Sequence, residues 1–326
     1  MRRVAFAVSI AAVLAVAVGS RVTSGQDRGS PFIDHSDTGE ILHVLATPAS
    51  VRSPHDTAPT DAARSNKLQV FAASYGSDSL TNHGGPQISL AGFYAIYWNG
   101  TVANSAGTQG NATLRSTVQN FVTSFSSNGA YSQSDPSADY SIISQYGAAN
   151  AISTTLVFAG DLVDSQSTQS SISDRNIRTY IASLFNAGKV QADTHTVFGV
   201  YFPAGMKITT QGGSSCSSFC GYHSHFSYAG KDIKYAVFPF TNCNGCSLSG
   251  KNVADMLTIV SSHEIREAVT DPDLNAWYDA AGDEADDKCA WHNLYQMTKG
   301  GYWVQPEYSN GGNSTYPGPG CIVPNQ

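Results

Sequence analysis

The chain has 326 residues and a formal charge of −7, from 18 Lys and Arg against 25 Asp and Glu. This length can bury a full hydrophobic core in one or two domains, which excludes a small scaffold held together by disulfides alone. Only 13% of the residues are charged, about half the usual share in soluble domains and a composition common in exported proteins. The acidic balance also argues against nucleic acid as a partner.

The N-terminus has the features of a secretory signal peptide. Arg2 and Arg3 precede an unbroken run of apolar and small residues at 4–18. Because this run is shorter than the roughly 20 apolar residues that span a bilayer, we expect residues 1–25 to be cleaved. The mature protein is then secreted, in the extracellular space, periplasm or cell wall, and has no membrane attachment. Residues 26–66 are polar with four prolines, which predicts a disordered linker or pro-segment.

The remainder, residues 67–326, is predicted to be one domain in which strands and helices alternate. Runs of β-branched and aromatic residues predict strands at 68–72, 87–98, 154–158, 196–202 and 234–240. The last of these is expected at a sheet edge because of Pro239. Helical spacing of apolar residues occurs at 114–125 and 174–185. The pattern predicts the α/β (α+β) class, with a mixed β-sheet flanked by helices.

All six cysteines lie in roughly the last third of the chain. An even number of cysteines in an exported protein predicts three disulfides that stabilise this part. We expect pairing between neighbours in the sequence: Cys216–Cys220, Cys243–Cys246 and Cys289–Cys321. The alternative is a four-cysteine zinc site, because the first four cysteines form C-x3-C and C-x2-C pairs.

A predicted helix at 251–270 carries the candidate chemistry. Its apolar stripe continues into His263, Glu264 and Glu267, so these polar side chains are expected to point into the interior. Burying them without a partner is costly, which predicts a metal ion or a hydrogen-bond network opposite them. The pattern H-E-x-x-E is a variant of the H-E-x-x-H zinc-hydrolase helix, with Glu264 placed to polarise a water molecule. The alternative is a polar helix end in which Arg266 forms salt bridges.

An acidic segment at 282–289 follows this helix, which is expected to end at Asp271-Pro272. Catalytic zinc usually has three protein ligands, so the segment is expected to return a third one. Glu284 is the first candidate and Asp287 the second, with Asp271 and Asp273 behind them. The alternatives are a solvated surface loop or a Ca²⁺ site, since Ca²⁺ prefers oxygen ligands.

Three stretches resemble the EXORDIUM (phosphate-induced) protein family, in particular its bacterial members. They are the helix motif at 262–272, N-A-W-Y at 275–278 and E-x-x-D-x-C at 284–289, and Cys220-Gly221-Tyr222-His223 is a further match upstream. The resemblance implies an extracellular or cell-wall protein with a zincin-like site whose activity is presumed. It marks His223 in addition to the helix residues, Glu284 and Asp287. The C-terminal residues 302–310 depart from the plant members, so the growth-related role of those proteins is not carried over.

Two functions are consistent with these residues. The first is a secreted zinc-dependent hydrolase of the metallopeptidase type, acting on a peptide or cell-wall substrate. His263, Glu267 and Glu284 then hold Zn²⁺, Glu264 is the general base for the metal-bound water, and His223 steadies the oxyanion. The second is a non-catalytic secreted protein that binds wall glycans or a partner and in which a structural ion or polar network occupies the same place.

Overall fold

The computed structural model describes residues 30–51, 58–76, 79–126, 139–147, 152–311 and 318–324, so the predicted signal peptide lies outside the described residues. The strands are β1 (Ile33–His35), β2 (Ile41–Ala46), β3 (Gln69–Phe71), β4 (Thr81–Asn82), β5 (Ala91–Tyr97), β6 (Leu156–Val163), β7 (Ser171–Ser173), β8 (Thr196–Tyr201), β9 (Lys207–Thr209), β10 (Phe219–Tyr228), β11 (Lys231–Phe238), β12 (Trp277–Tyr278), β13 (Tyr295–Gln296), β14 (Trp303–Val304), β15 (Glu307–Ser309) and β16 (Gly320–Val323). The α-helices are α1 (Gly100–Ala103), α2 (Leu114–Phe125), α3 (Asp174–Asn186) and α4 (Val253–Thr270), and 3₁₀ turns cover Ser141–Tyr146 and Asp287–Cys289.

A seven-stranded mixed sheet organises the fold, in the order β1-β2-β10-β11-β8-β5-β6. The first four strands pair antiparallel, and the pairs β11–β8, β8–β5 and β5–β6 are parallel. All six residues of β8 are buried, as expected for an apolar strand covered on both faces. The predicted mixed α/β class is confirmed.

The position of β11 differs from the sequence-based expectation. This strand lies between β10 and β8 in the interior of the sheet, so the predicted edge position is wrong. The strand ends at Phe238, and Pro239 follows it. Pro239 therefore lies outside the paired part of the strand, so its lack of an N–H removes no hydrogen bond from the sheet.

The segment predicted to be a linker or pro-segment also differs. Within it, residues 33–46 form β1 and β2, and β2 pairs with β10 in the central sheet. The side chain of Trp291 donates a hydrogen bond to the carbonyl of Ala46, at 2.8 Å, which ties this segment to the C-terminal part. The apolar run at 41–46 is short and interrupted by His43, so its polar, proline-containing flanks outweighed it in the sequence pattern.

Three disulfides join the cysteines, and they pair as Cys216–Cys243, Cys220–Cys246 and Cys289–Cys321. The third predicted pair is confirmed and the two local pairs are wrong. The segments 216–220 and 243–246 pack against each other so closely that a Cβ on Gly245 would lie 1.9 Å from the Cys216 carbonyl oxygen. Each cysteine therefore bonds across this contact, and none of the four is a free thiolate for zinc. Such disulfides are typical of an oxidising compartment.

Within the described ranges, none of the helices combines the length and the apolar character needed to cross a lipid bilayer.

Candidate metal centre

The predicted site helix, α4, is buried along almost its whole length. It begins after Asn252, whose side chain accepts a hydrogen bond from the backbone N–H of Asp255, and it ends at Asp271 as predicted. The helix packs on β10 and β11. Gly221 on β10 permits the close approach, because a Cβ there would lie 2.4 Å from Val260 Cγ1 and 3.0 Å from Glu264 Oε1. Burial on all sides, rather than along one stripe, places every polar group of the last two turns in the interior.

Seven ionisable side chains from four parts of the chain converge beneath the last turns of α4. All have a relative exposure of 0%. They are His43 on β2, His223 on β10, His263, Glu264 and Glu267 on α4, and Glu284 and Asp287 from the acidic segment. We call this group the buried cluster.

Glu267 lies at the centre of the buried cluster. Its Oε1 accepts hydrogen bonds from the backbone N–H groups of Asp286 and Asp287, at 3.1 Å each. Its Oε2 faces the imidazoles and lies 3.0 Å from His263 Nε2, 3.4 Å from His43 Nδ1 and 3.9 Å from His223 Nδ1. Within the described residues, Oε2 makes no hydrogen bond of good geometry. One oxygen is thus anchored and the other is available to a ligand.

The ligand atoms of the buried cluster form two compact groups, each with atoms within 4.8 Å of one another. The first group is His43, His223 and Glu267, and the second is His263, Glu267 and Asp287. Among the residues that the structure describes, His43 Nδ1, His223 Nε2, His263 Nε2 and Asp287 Oδ1 have no hydrogen-bond partner. An unsatisfied buried polar atom costs about 1–3 kcal/mol, so a cation that these atoms coordinate would remove the cost. The donor set therefore fits a metal ion.

The predicted ligands fall in different places. Asp287 groups with His263 and Glu267, whereas Glu284, the first candidate from the sequence, lies across the cluster at 3.7 Å from His43 Nε2 and 3.8 Å from His223 Nε2. Asp271 accepts hydrogen bonds from the backbone of residues 275 and 276, and Asp273 pairs with Lys234 near the surface. The last two are thus occupied outside the buried cluster.

His43 is a residue of the cluster that the sequence patterns did not predict. The sequence feature that could have indicated it is the presence of one ionisable residue, His43, in the otherwise apolar run Ile41–Ala46. His225, two residues further along β10 than His223, lies outside the buried cluster and pairs with Asp232 at 2.9 Å. His223 is also placed to act as a ligand, in addition to its predicted role at the oxyanion.

Burial and mutual interactions shift the pKa values in the cluster. Burial, together with the neighbouring His43, lowers the pKa of His223 to about 3, so this imidazole is neutral and has a free lone pair at neutral pH. Burial and the charge of Glu267 raise the pKa values of Glu264 and Asp287 well above the ordinary range. Burial also acts to raise the pKa of Glu267, but His263 and His43 outweigh it and hold this pKa below its usual value.

Outer contacts hold the ligands in place. Gln305 Nε2 lies 3.2 Å from His263 Nδ1. The same Nε2 donates a hydrogen bond to the backbone carbonyl of Asp286, at 2.5 Å, which fixes the carboxamide beside the His263 ring. Arg266 forms an ion pair with Asp286, as the salt-bridge alternative expected, but this pair lies beside the buried cluster and not within it.

The acidic segment does not present all its carboxylates to one ion. Lys288 pairs with Asp279 at 2.7 Å, and Arg266 pairs with Asp286. Glu284 and Asp287 face three imidazoles instead. Nitrogen ligands suit Zn²⁺ and other borderline metals, whereas Ca²⁺ takes oxygen ligands, so this donor set favours zinc over calcium.

Comparison with protein-family models finds no match for this chain, and comparisons with curated proteins and with solved structures find no significant similarity.

Proposed function

We propose that this protein is a secreted metal-dependent hydrolase of the metallopeptidase type, related to the EXORDIUM family, in which α4 is a zincin-like active-site helix. The observation that carries the proposal is the position of Glu264. This carboxylate belongs to neither compact group of ligand atoms, yet it lies in the same buried cluster, with Oε2 3.3 Å from His223 Nδ1. Its Oε1 has no hydrogen-bond partner among the described residues.

His263, Glu267 and Asp287 are the residues that would hold Zn²⁺ in this proposal. A bound divalent ion supplies Lewis acidity, which polarises a carbonyl group and acidifies water. Glu264 would accept the proton of the attacking water and deliver it to the leaving amine. Burial raises the pKa of Glu264 above the usual carboxyl range, which is the direction expected for a group that accepts a proton and then releases it. His223 would hold Glu264 in position through Nδ1, which lies 3.3 Å from Glu264 Oε2.

A cavity of about 1020 Å³, lined in part by residues further along the strands that carry His43 and His223, is the proposed substrate site. Ile41 and His225 line it, and they are two residues from His43 and His223 on the same strands. Side chains two apart on a strand share a face, so these two lining residues lie on the same face of the sheet as the cluster histidines, about 7 Å further along the strands. Its lining is mixed in charge, with Arg178, Lys231 and Asp232 among the residues. A polar peptide or wall polymer suits such a lining.

One observation favours a second candidate, a non-catalytic exported protein with a structural metal. Every side chain of the buried cluster has 0% exposure, as in closed structural sites rather than in sites with an open coordination position. In that case the ion would tie α4, β2, β10 and the acidic segment together, and the cavity would bind a wall glycan or partner.

Metal analysis combined with a Glu264→Gln variant separates the two candidates. The protein, purified without chelators, is expected to contain a metal, and Glu264→Gln should keep the metal while hydrolysis of a peptide library falls at least about 100-fold. His263→Ala should lower the metal content. The exposed residues His195 and Asp193 provide controls, and His195→Ala and Asp193→Asn should change neither quantity. A metal-free wild-type protein overturns the proposal, and a metal-bound wild type that cleaves no peptide supports the second candidate.

A further inference from the structure

We infer that the buried cluster holds two divalent cations rather than one, with the carboxylate of Glu267 shared between them. This inference rests on the proposed metal site and adds a second ion to it. The new ion would be held by His43 and His223, which come from two strands of the sheet and not from the H-E-x-x-E helix.

The geometry around Glu267 carries the inference. Glu267 belongs to both compact groups, one with His43 and His223 and the other with His263 and Asp287. The distances from Oε2 to the nearest nitrogen of each side are 3.4 Å for His43 and 3.0 Å for His263. In two-metal sites the ions are about 3.5–4 Å apart, which a single carboxylate can bridge.

Asp287, a member of the second group, also contacts an imidazole of the first group. Its Oδ1 lies 3.6 Å from His263 Nε2, and its Oδ2 lies 3.3 Å from His43 Nε2. Two carboxylates thus lie between the imidazoles. Glu284 lies near the strand histidines, with its Oε2 3.8 Å from His223 Nε2.

Unpartnered atoms occur on both sides of Glu267. In the described residues, His43 Nδ1 and His223 Nε2 lack hydrogen-bond partners on one side, and His263 Nε2 and Asp287 Oδ1 lack them on the other. One ion in the helix-side group would leave the two strand histidines unsatisfied and fully buried. A second ion satisfies them.

The charge of the buried cluster also favours two divalent ions. Glu264, Glu267, Glu284 and Asp287 are four carboxylates, and imidazoles that ligate a metal are neutral. Among the described residues, the cationic side chains Arg266 and Lys288 near the cluster are paired with Asp286 and Asp279. In the fully ionised cluster, a single divalent ion balances two of the four negative charges and two ions balance all four, which lowers the cost of burying them.

The test is the number of metal ions per chain. Full-length protein from a secreting host is stripped with a chelator, reloaded with Zn²⁺ or Co²⁺, dialysed and measured by elemental analysis. We expect two ions per chain, and X-ray absorption should detect a metal–metal distance of about 3.5–4 Å. One ion per chain, with no metal–metal signal, overturns this inference and leaves the proposed function standing. No bound metal overturns both.

Variants assign the two ions to the two sides. His43→Asn and His223→Asn should each reduce the count from two to one, and the ion that remains should be lost in the double variant His223→Asn/His263→Asn. His195→Ala, an exposed control, should keep two ions. Thermal unfolding identifies any variant that does not fold, and the wild-type count decides the matter on its own if the variants are unstable. Two ions retained in folded His43→Asn and His223→Asn would contradict the assignment.

Discussion

His43 lies directly opposite His223 across the antiparallel pair β2–β10, with ring centroids 5.5 Å apart. This pairing joins β2 to β10, the strand that follows Cys216 of the Cys216–Cys243 disulfide. Since β10 also packs on α4, the sheet carries both histidines to the H-E-x-x-E helix. The site therefore depends on the sheet as much as on the helix.

The first prediction concerns the N-terminal strands. A chain that begins at Ser30 should fold and bind metal, whereas a chain that begins at Ala58 should lose both cooperative thermal unfolding and metal. The longer deletion removes His43, exposes the ladder edge of β10 and breaks the hydrogen bond between Trp291 and Ala46. Circular dichroism melting and elemental analysis measure the outcome. Equal metal content in the two truncated chains would show that His43 is not a ligand.

The second prediction concerns Gln305, which contacts His263 from outside the buried cluster. Gln305→Ala should weaken Zn²⁺ binding about 10–100-fold, because the imidazole loses the partner that orients it. Competition with a chromophoric chelator gives the affinity. Gln119→Ala, on the exposed face of α2, is the matched control and should leave the affinity unchanged.

The third prediction is a pH dependence. Burial raises the pKa of Asp271 to about 6 from its ordinary value of 3.8. The folded state therefore binds a proton that the unfolded state releases between these values, so this contribution to stability is present below pH 3.8 and is lost as the pH rises through 6. Asp271→Asn does not titrate. Relative to wild type, it should gain up to about 3 kcal/mol in unfolding free energy between about pH 4 and about pH 7.

Denaturant unfolding of chelator-treated protein at both pH values tests this prediction. Asp193→Asn, at an exposed loop position, is the control for the loss of a carboxylate. A difference between Asp271→Asn and wild type that stays constant with pH would contradict the predicted titration.

The fourth prediction compares two disulfides with similar loops, of 32 and 27 residues. Replacing either pair with serines should cost about 2–4 kcal/mol in unfolding free energy. Only the Cys289–Cys321 replacement should also weaken metal binding, because Cys289 ends the 3₁₀ turn that begins at Asp287. Replacement of Cys216 and Cys243 leaves His223 held by its strand neighbours. Equal losses of metal affinity in the two variants would refute the distinction.

Local patterns predicted the three longer α-helices and five of the sixteen described strands. Helix α2 spans Leu114–Phe125 as predicted, and α3 and α4 agree within about two residues. Their apolar residues recur at helical spacing, and this periodicity is a property of neighbouring residues. Runs of β-branched and aromatic residues, also a local pattern, predicted β5, β8 and β11. The place of β11 in the sheet was not predicted, since the order of strands is set by pairing between distant segments.

The composition and the spacing of residues determined that this is an α/β protein with cysteines for three disulfides and a helix on which His263, Glu264 and Glu267 point inward. Those features depend on the types of residue and on their spacing over a few helical turns of the chain. The tertiary structure alone decided that Asp287 rather than Glu284 groups with His263, that the cysteines bond across two packed segments, and that His43 joins the site. Each of these depends on which distant segments share one buried space, because burial and charge pairing act between side chains that are neighbours in space and far apart along the chain.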